Sequence, residues 1–246
     1  MKEAKLRIEE NRLIAENTWR LTLSGAPAGE ARPGQFVNLR LRDCFLRRPL
    51  SVADAEGDGL TLIYKVVGRG TAALSALGQG EALPVLLFLG NGFDPAASGQ
   101  TPLLVGGGAG VAPLYLLARR LRQAGRQVTA VLGFNRATEV FLAAEFNALG
   151  VKTVLATADG SMGVRGFVTD GMKTLPEPSF HYVCGPEPML RAVYAATGPG
   201  GQYSFEERMG CGFGACMGCS CETLYGPKRI CRDGPVLQKE EIRWPT

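Results

Sequence analysis

Thr101-Pro-Leu-Leu-Val105-Gly-Gly-Gly-Ala-Gly110-Val-Ala-Pro113-Leu114 is the stretch on which the fold turns. Its first five residues are an apolar, strand-like run. Gly106-Gly107-Gly108-Ala109-Gly110 then breaks it. Val111–Ala124 follows with helical spacing, and Pro113 is tolerated in a first helical turn. A strand that meets a helix across glycines presents free backbone N–H groups and a helix N-terminus, which favour a phosphate or pyrophosphate. The alternative is a tight structural turn. The strict dinucleotide fingerprint fails here, because Val111 stands at the third glycine position. The acidic residue expected after the next strand is replaced by Leu132-Gly133-Phe134-Asn135-Arg136.

Working outward from that loop, the pattern alternates. Gln127–Phe134 and Val151–Thr157 read as strands, and Glu139–Leu149 as a helix. Tyr182-Val183-Cys184 reads as a strand ahead of Gly185-Pro186 and a helix over Glu187–Ala196. Strands alternating with helices predict a parallel sheet with crossover helices. Before residue 100 the character differs. Lys5–Glu9, Thr18–Leu23, Phe36–Leu41, Leu60–Val67 and Leu83–Leu89 are short and strand-like, with turns such as Pro33-Gly34 between them. That pattern predicts a small antiparallel barrel. The chain therefore reads as an α+β multidomain protein, with a barrel over 1–98, an α/β nucleotide-binding domain over 99–203 and a cysteine-rich domain over 204–246.

The third segment carries Cys211, Cys216 and Cys219, with Cys231 twelve positions further on. Cys-x4-Cys-x2-Cys plus a distant Cys is the ligand spacing of a plant-type [2Fe–2S] cluster. Gly212 and Gly214 sit inside the run, where a loop must curl around inorganic sulfurs. Four thiolates on a zinc ion are the main rival. Zinc ribbons pair two Cys-x2-Cys knuckles, however, and only Cys216 and Cys219 form one. Cys221 in place of Cys219 would fit the spacing worse, so it is read as a neighbouring thiol.

The 246 residues suit two or three domains. A net charge of +4 with 20% charged residues gives no one-signed field, which argues against nucleic acid. The longest apolar run, Leu83–Leu89, is far short of a membrane span. Seven cysteines without a secretory leader point to a reducing, cytoplasmic setting. The single histidine, His181, argues against a histidine-based triad and is read as structural.

Two barrel stretches suit a phosphorylated cofactor. Arg47-Arg48-Pro49-Leu50-Ser51 offers guanidinium and hydroxyl groups, against the alternative of a solvated basic turn. Gly68-Arg69-Gly70-Thr71 opens a helix, and Tyr64 just before it either stacks on a ring or packs within its strand.

Together these pieces resemble the ferredoxin–NADP reductase superfamily over essentially the whole chain. Pro33-Gly34-Gln35-Phe36 is similar to its early barrel strand, and Arg48-Pro49-Leu50-Ser51 to its flavin motif. Gly107-Gly108-Ala109-Gly110-Val111-Ala112-Pro113-Leu114 is similar to its nicotinamide-nucleotide loop. Cys184-Gly185-Pro186-Glu187-Pro188-Met189 is similar to the motif beside the nicotinamide. Glu206-Glu207-Arg208-Met209-Gly210-Cys211-Gly212, Cys231-Arg232-Asp233-Gly234-Pro235-Val236 and Leu89-Gly90-Asn91-Gly92-Phe93 resemble the electron-transfer subunits of NAD-dependent (class B) dihydroorotate dehydrogenases.

The resemblance implies [2Fe–2S] on Cys211, Cys216, Cys219 and Cys231. It implies FAD on Arg48, Pro49, Leu50, Ser51, Ile63, Tyr64, Lys65, Gly70 and Thr71. It implies NAD as acceptor at Gly107, Gly108, Gly110, Cys184, Gly185 and Pro186, with no catalytic acid or base on this chain. It further implies an FMN-containing catalytic partner in a 2+2 heterotetramer serving pyrimidine (UMP) biosynthesis. The runner-up is a flavin and iron–sulfur subunit of a ferredoxin–NADP⁺ reductase, sulfur reductase or hydrogenase complex. A colourless, zinc-stabilised or regulatory nucleotide-binding module is the reading from another class. Arg136 leaves NADP open, as a partner for a 2′-phosphate or as a solvated arginine. Phe88 departs from the family pattern, which would place Pro or a small turn former there.

Overall fold

The computed structural model describes residues 2–244; residues 1, 245 and 246, at the outer ends of the first and third segments, lie outside the described residues. The barrel is closed by six antiparallel strands in the order β1-β2-β5-β4-β3-β6. These are β1 (Lys2–Ala15), β2 (Thr18–Ser24), β3 (Phe36–Leu39), β4 (Arg48–Glu56), β5 (Gly59–Lys65) and β6 (Ala82–Leu89). Alternation decides what each strand buries. Val37 and Leu39 enter the barrel core with Leu6, Leu21, Val52 and Leu62, while Phe36 and Asn38 face outward. The short helix α1 (Arg69–Ser75) lies between β5 and β6.

Two barrel stretches take a shape that the sequence left open. Arg48–Ser51 opens β4, so the alternative of a solvated basic turn does not hold, and it pairs with β3 through Leu39↔Arg48, Asn38↔Pro49, Val37↔Leu50 and Phe36↔Ser51. Pro49 and charged Arg48 hide the strand from a pattern reading, because β4 is half-buried there and only its second half alternates into the core. Phe88, where a turn former was expected, adopts φ +49°. The β3–β6 register shifts between Phe36 and Asn38, so β6 bulges there, and Phe88 takes the left-handed conformation without being a small residue.

The second sheet runs β10-β9-β8-β7-β11-β12-β15. Its strands are β7 (Pro102–Gly107), β8 (Thr129–Phe134), β9 (Lys152–Thr157), β10 (Val164–Arg165), β11 (Phe180–Cys184), β12 (Gly201–Ser204) and β15 (Val236–Gln238). All neighbours are parallel except β12 and β15. Its helices are α2 (Ala112–Gln123), α3 (Ala143–Ala148), α4 (Val168–Met172) and α5 (Glu187–Ala196). The helix read over Glu139–Leu149 is shorter than expected: residues 137–139 form a 3-10 turn, and Leu142 takes φ +61° before α3 starts. His181 is buried near the Gly200 carbonyl, and burial lowers its pKa, in keeping with a structural role.

The cysteine-rich tail does not stand apart. β15 completes the nucleotide-domain sheet, pairing Tyr203 with Leu237. Asn91, just past the barrel, accepts from Val236 N–H and donates to the Val236 carbonyl. β13 (Ser220–Thr223) and β14 (Gly226–Arg229) form a separate hairpin.

Candidate redox-cofactor site

The sheet order changes direction between β7 and β11. In an open α/β sheet that is where a crevice opens beyond the carboxyl ends of the strands. Two glycine-containing loops meet there. One follows β7 as a 3-10 turn over Gly108–Val111, with Gly108 at φ +53°. The other is Cys184-Gly185-Pro186 after β11. A Cβ on Gly110 would stand 2.4 Å from the Cys184 carbonyl oxygen, and one on Gly107 would stand 2.4 Å from Met189 Sδ. The loops touch because these positions lack side chains. Val111 at the fingerprint's third position is wholly buried and touches Gly106, so it packs the turn instead of opening it.

Beside the loops lies a cavity of ≈ 590 Å³, lined by Gly107, Gly108, Phe134, Phe167, Pro186 and Met189 among others. Lys65 and Glu139 also line it, and Lys65 Nζ donates to Glu139 Oε2 at 2.8 Å. Cys184 is buried, and burial followed by the charge of Glu206 pushes its thiol pKa upward. A thiol held protonated is unsuited to nucleophilic attack. Arg136 is mostly exposed and lies 3.8 Å from Glu139.

On the barrel, Arg48 and Gly70 come together although far apart in sequence. A Cβ on Gly70 would fall 1.9 Å from Arg48 Nε, so only glycine lets the guanidinium lie over the start of α1. Arg48 Nη1 donates to the Leu46 carbonyl at 2.6 Å, while Thr71 Oγ1 accepts from Val67 and Gly68 N–H. A cation against a helix start suits a pyrophosphate. Pro49 and Ser51 share the outward face of β3 and β4 with Phe36 and Asn38, and Leu50 turns toward the barrel core. Along β5, Ile63 and Lys65 face the nucleotide domain. Tyr64 points the other way: it is 2% exposed in the barrel core and donates to Asn11 Oδ1 at 2.9 Å. Of the two readings of Tyr64, packing within the strand is what its side chain does.

The loop 211–216 wraps one sulfur. Cys211 Sγ accepts from the N–H groups of Ala215 at 3.2 Å and of Phe213 and Cys216 at 3.5 Å. Burial pushes this thiol up, yet those N–H donors bring it down to about 6, which favours the thiolate. Cys216 Sγ in turn lies 3.5 Å from Cys211 N. Cys219 and Cys231 form a second, buried pair, with Cys231 N–H 3.4 Å from Cys219 Sγ. Burial and neighbouring Cys219 push Cys231 up to about 12. Two adjacent thiol pairs suit two irons with two protein ligands each. The N–H groups directed at the Cys211, Cys216 and Cys219 sulfurs suit the thiolate and sulfide charge of a binuclear cluster. Cys221 is raised to about 11, mainly by burial, and pairs with Lys228 in the hairpin.

Sequence reasoning missed Asn38. It is 1% exposed, and its Nδ2 donates to the Cys211 carbonyl at 3.3 Å, joining the cluster loop to the barrel.

Barrel, parallel sheet and thiol loop together define a flavin-dependent oxidoreductase of the ferredoxin-reductase type. The family model for the iron–sulfur cluster binding domain of dihydroorotate dehydrogenase B matches residues 206–243, and that for an oxidoreductase NAD-binding domain matches residues 104–195. The chain is 46% identical to the dihydroorotate dehydrogenase B (NAD(+)) electron transfer subunit of Bacillus caldolyticus, over 97% of each protein. It is 41% identical to the Fusobacterium nucleatum subunit of the same name, over 98% of this chain and 99% of that one. The chain belongs to this family of electron transfer subunits. Among solved structures, an NADH-dependent reduced ferredoxin–NADP oxidoreductase aligns with a TM-score of 0.87 and 32% identity, over 98% of this chain and 90% of that one. A ferredoxin NADP⁺ reductase of Neisseria gonorrhoeae, at 19% identity and a TM-score of 0.67, over 80% of this chain and 90% of that one, shares the fold. No helix among the described residues is long and apolar enough to cross a membrane.

Proposed function

We propose that this chain accepts electrons from an FMN-containing dihydroorotate dehydrogenase catalytic subunit and delivers them to NAD⁺ in the cytoplasm, within a 2+2 heterotetramer. The observation that carries this reading is the pair of thiol pairs at 211/216 and 219/231, packed on the outward face of the strand beside Pro49 and Ser51. When bound, the cluster passes single electrons and the flavin joins them to two-electron exchange with the nicotinamide.

The residues divide the work. Cys211, Cys216, Cys219 and Cys231 hold the cluster. Exposed Cys216, with exposed Phe213 and Met217 beside it, offers the partner an apolar approach to that centre. Arg48 and the Gly70–Thr71 helix start bind the FAD pyrophosphate. Pro49, Leu50 and Ser51, with Ile63, Tyr64 and Lys65 on β5, form the rest of the FAD site, Tyr64 through its backbone. Gly107, Gly108 and Gly110 bring the nucleotide-domain backbone close to the dinucleotide, and Cys184, Gly185 and Pro186 border the nicotinamide. No side chain is required to act as a general base, because the proton chemistry on dihydroorotate belongs to the partner. Similarity to electron transfer subunits named for NAD(+) supports NAD over NADP as the acceptor.

Co-purification with the catalytic partner tests this reading. The complex is expected to contain flavin, iron and acid-labile sulfide and to reduce NAD⁺ with dihydroorotate. A colourless complex, or one that holds zinc and no sulfide, would refute it. The similarity to the ferredoxin–NADP oxidoreductase supports a second reading, in which ferredoxin is the electron donor. Reduction of the purified chain by ferredoxin, with no response to the dihydroorotate-oxidising partner, would favour it.

A further inference from the structure

Asn38 occupies an unusual place for a side-chain amide. It lies on β3, directly across from Pro49 of the β4 flavin stretch, and on the outward face of both strands. It is 1% exposed. Its Nδ2 donates to the main-chain carbonyl of Cys211, and a Cβ on the next residue, Gly212, would fall 2.3 Å from that same Nδ2. A carbonyl can only accept, so the amide orientation is fixed: nitrogen toward the cluster loop, oxygen away from it. That oxygen is buried and has no partner within the chain. A buried acceptor without a donor is unfavourable, so a purely structural tie to Cys211 would have been made more easily by a residue without a spare acceptor.

The two ends of the amide therefore have different tasks. The nitrogen sets how closely the first cluster ligand approaches the barrel. The oxygen lies on the strand face that carries Pro49 and Ser51, where the flavin binds in the reading above. A flavin and its ribityl chain carry N–H and O–H donors of the kind this oxygen lacks. We propose that Asn38 is a positioning residue shared by the two redox sites, holding the cluster loop in register with its Nδ2 and accepting from the bound flavin with its Oδ1. The inference rests on the FAD and cluster assignment just made and adds the residue that spans them. Asn38 takes no part in bond making; it acts on the separation and relative pose of the two centres.

The test uses the complete complex with two variants. Asn38→Leu keeps the volume and removes both hydrogen-bonding ends. Asn38→Asp keeps the size and the acceptor but turns an oxygen toward the Cys211 carbonyl. Three quantities are read: the electron paramagnetic resonance spectrum of the reduced cluster, the absorption spectrum of the bound flavin, and the rate of dihydroorotate-driven NAD⁺ reduction. Asn38→Leu is expected to shift the cluster g values and the flavin spectrum and to slow NAD⁺ reduction about tenfold, the scale of losing an outer-shell partner of a metal site. Asn38→Asp retains the acceptor, so it should shift the cluster g values and leave the flavin spectrum as in wild type. An unchanged cluster spectrum in both variants would overturn the role of the Asn38 nitrogen. A flavin spectrum unchanged in Asn38→Leu, or changed equally in both variants, would overturn the role of its oxygen. A wild-type complex without flavin and cluster signals would instead overturn the underlying assignment, and this inference with it.

Discussion

Lys65 Nζ stands 2.8 Å from Glu139 Oε2 and binds the last residue of a barrel strand to the turn after the second strand of the nucleotide domain. The pair is largely shielded, with 25% of the lysine and 9% of the glutamate side chain exposed. Burial pushes the Glu139 carboxyl up, but hydrogen bonds from Lys65 and Asn135 and the nearby cationic charge outweigh it and hold the pKa below 4.5. A depressed carboxyl stabilises the fold above its unfolded value and loses that contribution as pH falls through the folded one. Lys65→Met should therefore destabilise the protein by about 1–2 kcal/mol at neutral pH. The gap to wild type should shrink once pH drops below 4.5. Urea denaturation at pH 7 and pH 4 checks both. An equal gap at the two values would count against the pair.

Gly110 and Cys184 make a second cross-element contact, between backbones. A methyl group on Gly110 would meet the Cys184 carbonyl oxygen at 2.4 Å and its carbon at 2.6 Å, and neither atom can swing aside as a side-chain end would. Gly110→Ala is expected to part the two loops, lower stability by about 1–3 kcal/mol and weaken NADH binding. Isothermal titration with NADH, beside a thermal melt, reads the two effects. Wild-type values in both would show that the loops need no such contact.

The proposed ligand set includes Cys216 and leaves out Cys221. Cys216 lies in the outer thiol pair with Cys211, whereas Cys221 lies on the hairpin opposite Lys228. Cys216→Ser is expected to abolish visible cluster absorption and uncouple NAD⁺ reduction from the partner. Cys221→Ser should keep full iron and sulfide content. Cluster loss in the second variant would put Cys221 in the ligand set in place of Cys219, and retention in the first would remove Cys216 from it.

How far the sequence carried this reading depends on where the signal is local. The strand–glycine–helix run at 101–114 and the helix over Glu187–Ala196 are set by neighbours in sequence, and each is found in the structure where it was expected. β4 was hidden because Arg48 and Pro49 interrupt its alternation, although its partner strand β3 holds it in register. α4 is only five residues long and contains Gly171, too brief for a periodic signal. β15 is three residues long, and its place beside β12 is set by the Asn91 contacts rather than by its own composition. Asn38 was invisible for the same reason. One polar residue in an alternating strand reads as solvent-facing, and only the return of the cysteine loop buries it.

Tyr64 is the position where a local signal points toward the cofactor and packing decides otherwise. Its ring fills the barrel core, and its hydroxyl donates to Asn11 Oδ1. Asn11 cannot turn away, because its Nδ2 is committed to the Leu74 and Leu77 carbonyls at 2.8 and 3.0 Å. Tyr64→Phe thus leaves the Asn11 oxygen without its donor, at a cost of about 1 kcal/mol, while flavin content and the flavin spectrum stay as in wild type. Alkaline pH adds a second signature. Burial raises the phenol from 10.0 to about 12, so its protonated form favours the folded state, a contribution whole below 10.0 and lost as pH climbs toward about 12. The stability gap between wild type and Tyr64→Phe should therefore narrow across that interval in urea titrations. A loss of bound flavin in this variant, with stability unchanged, would place the ring at the cofactor instead of in the core.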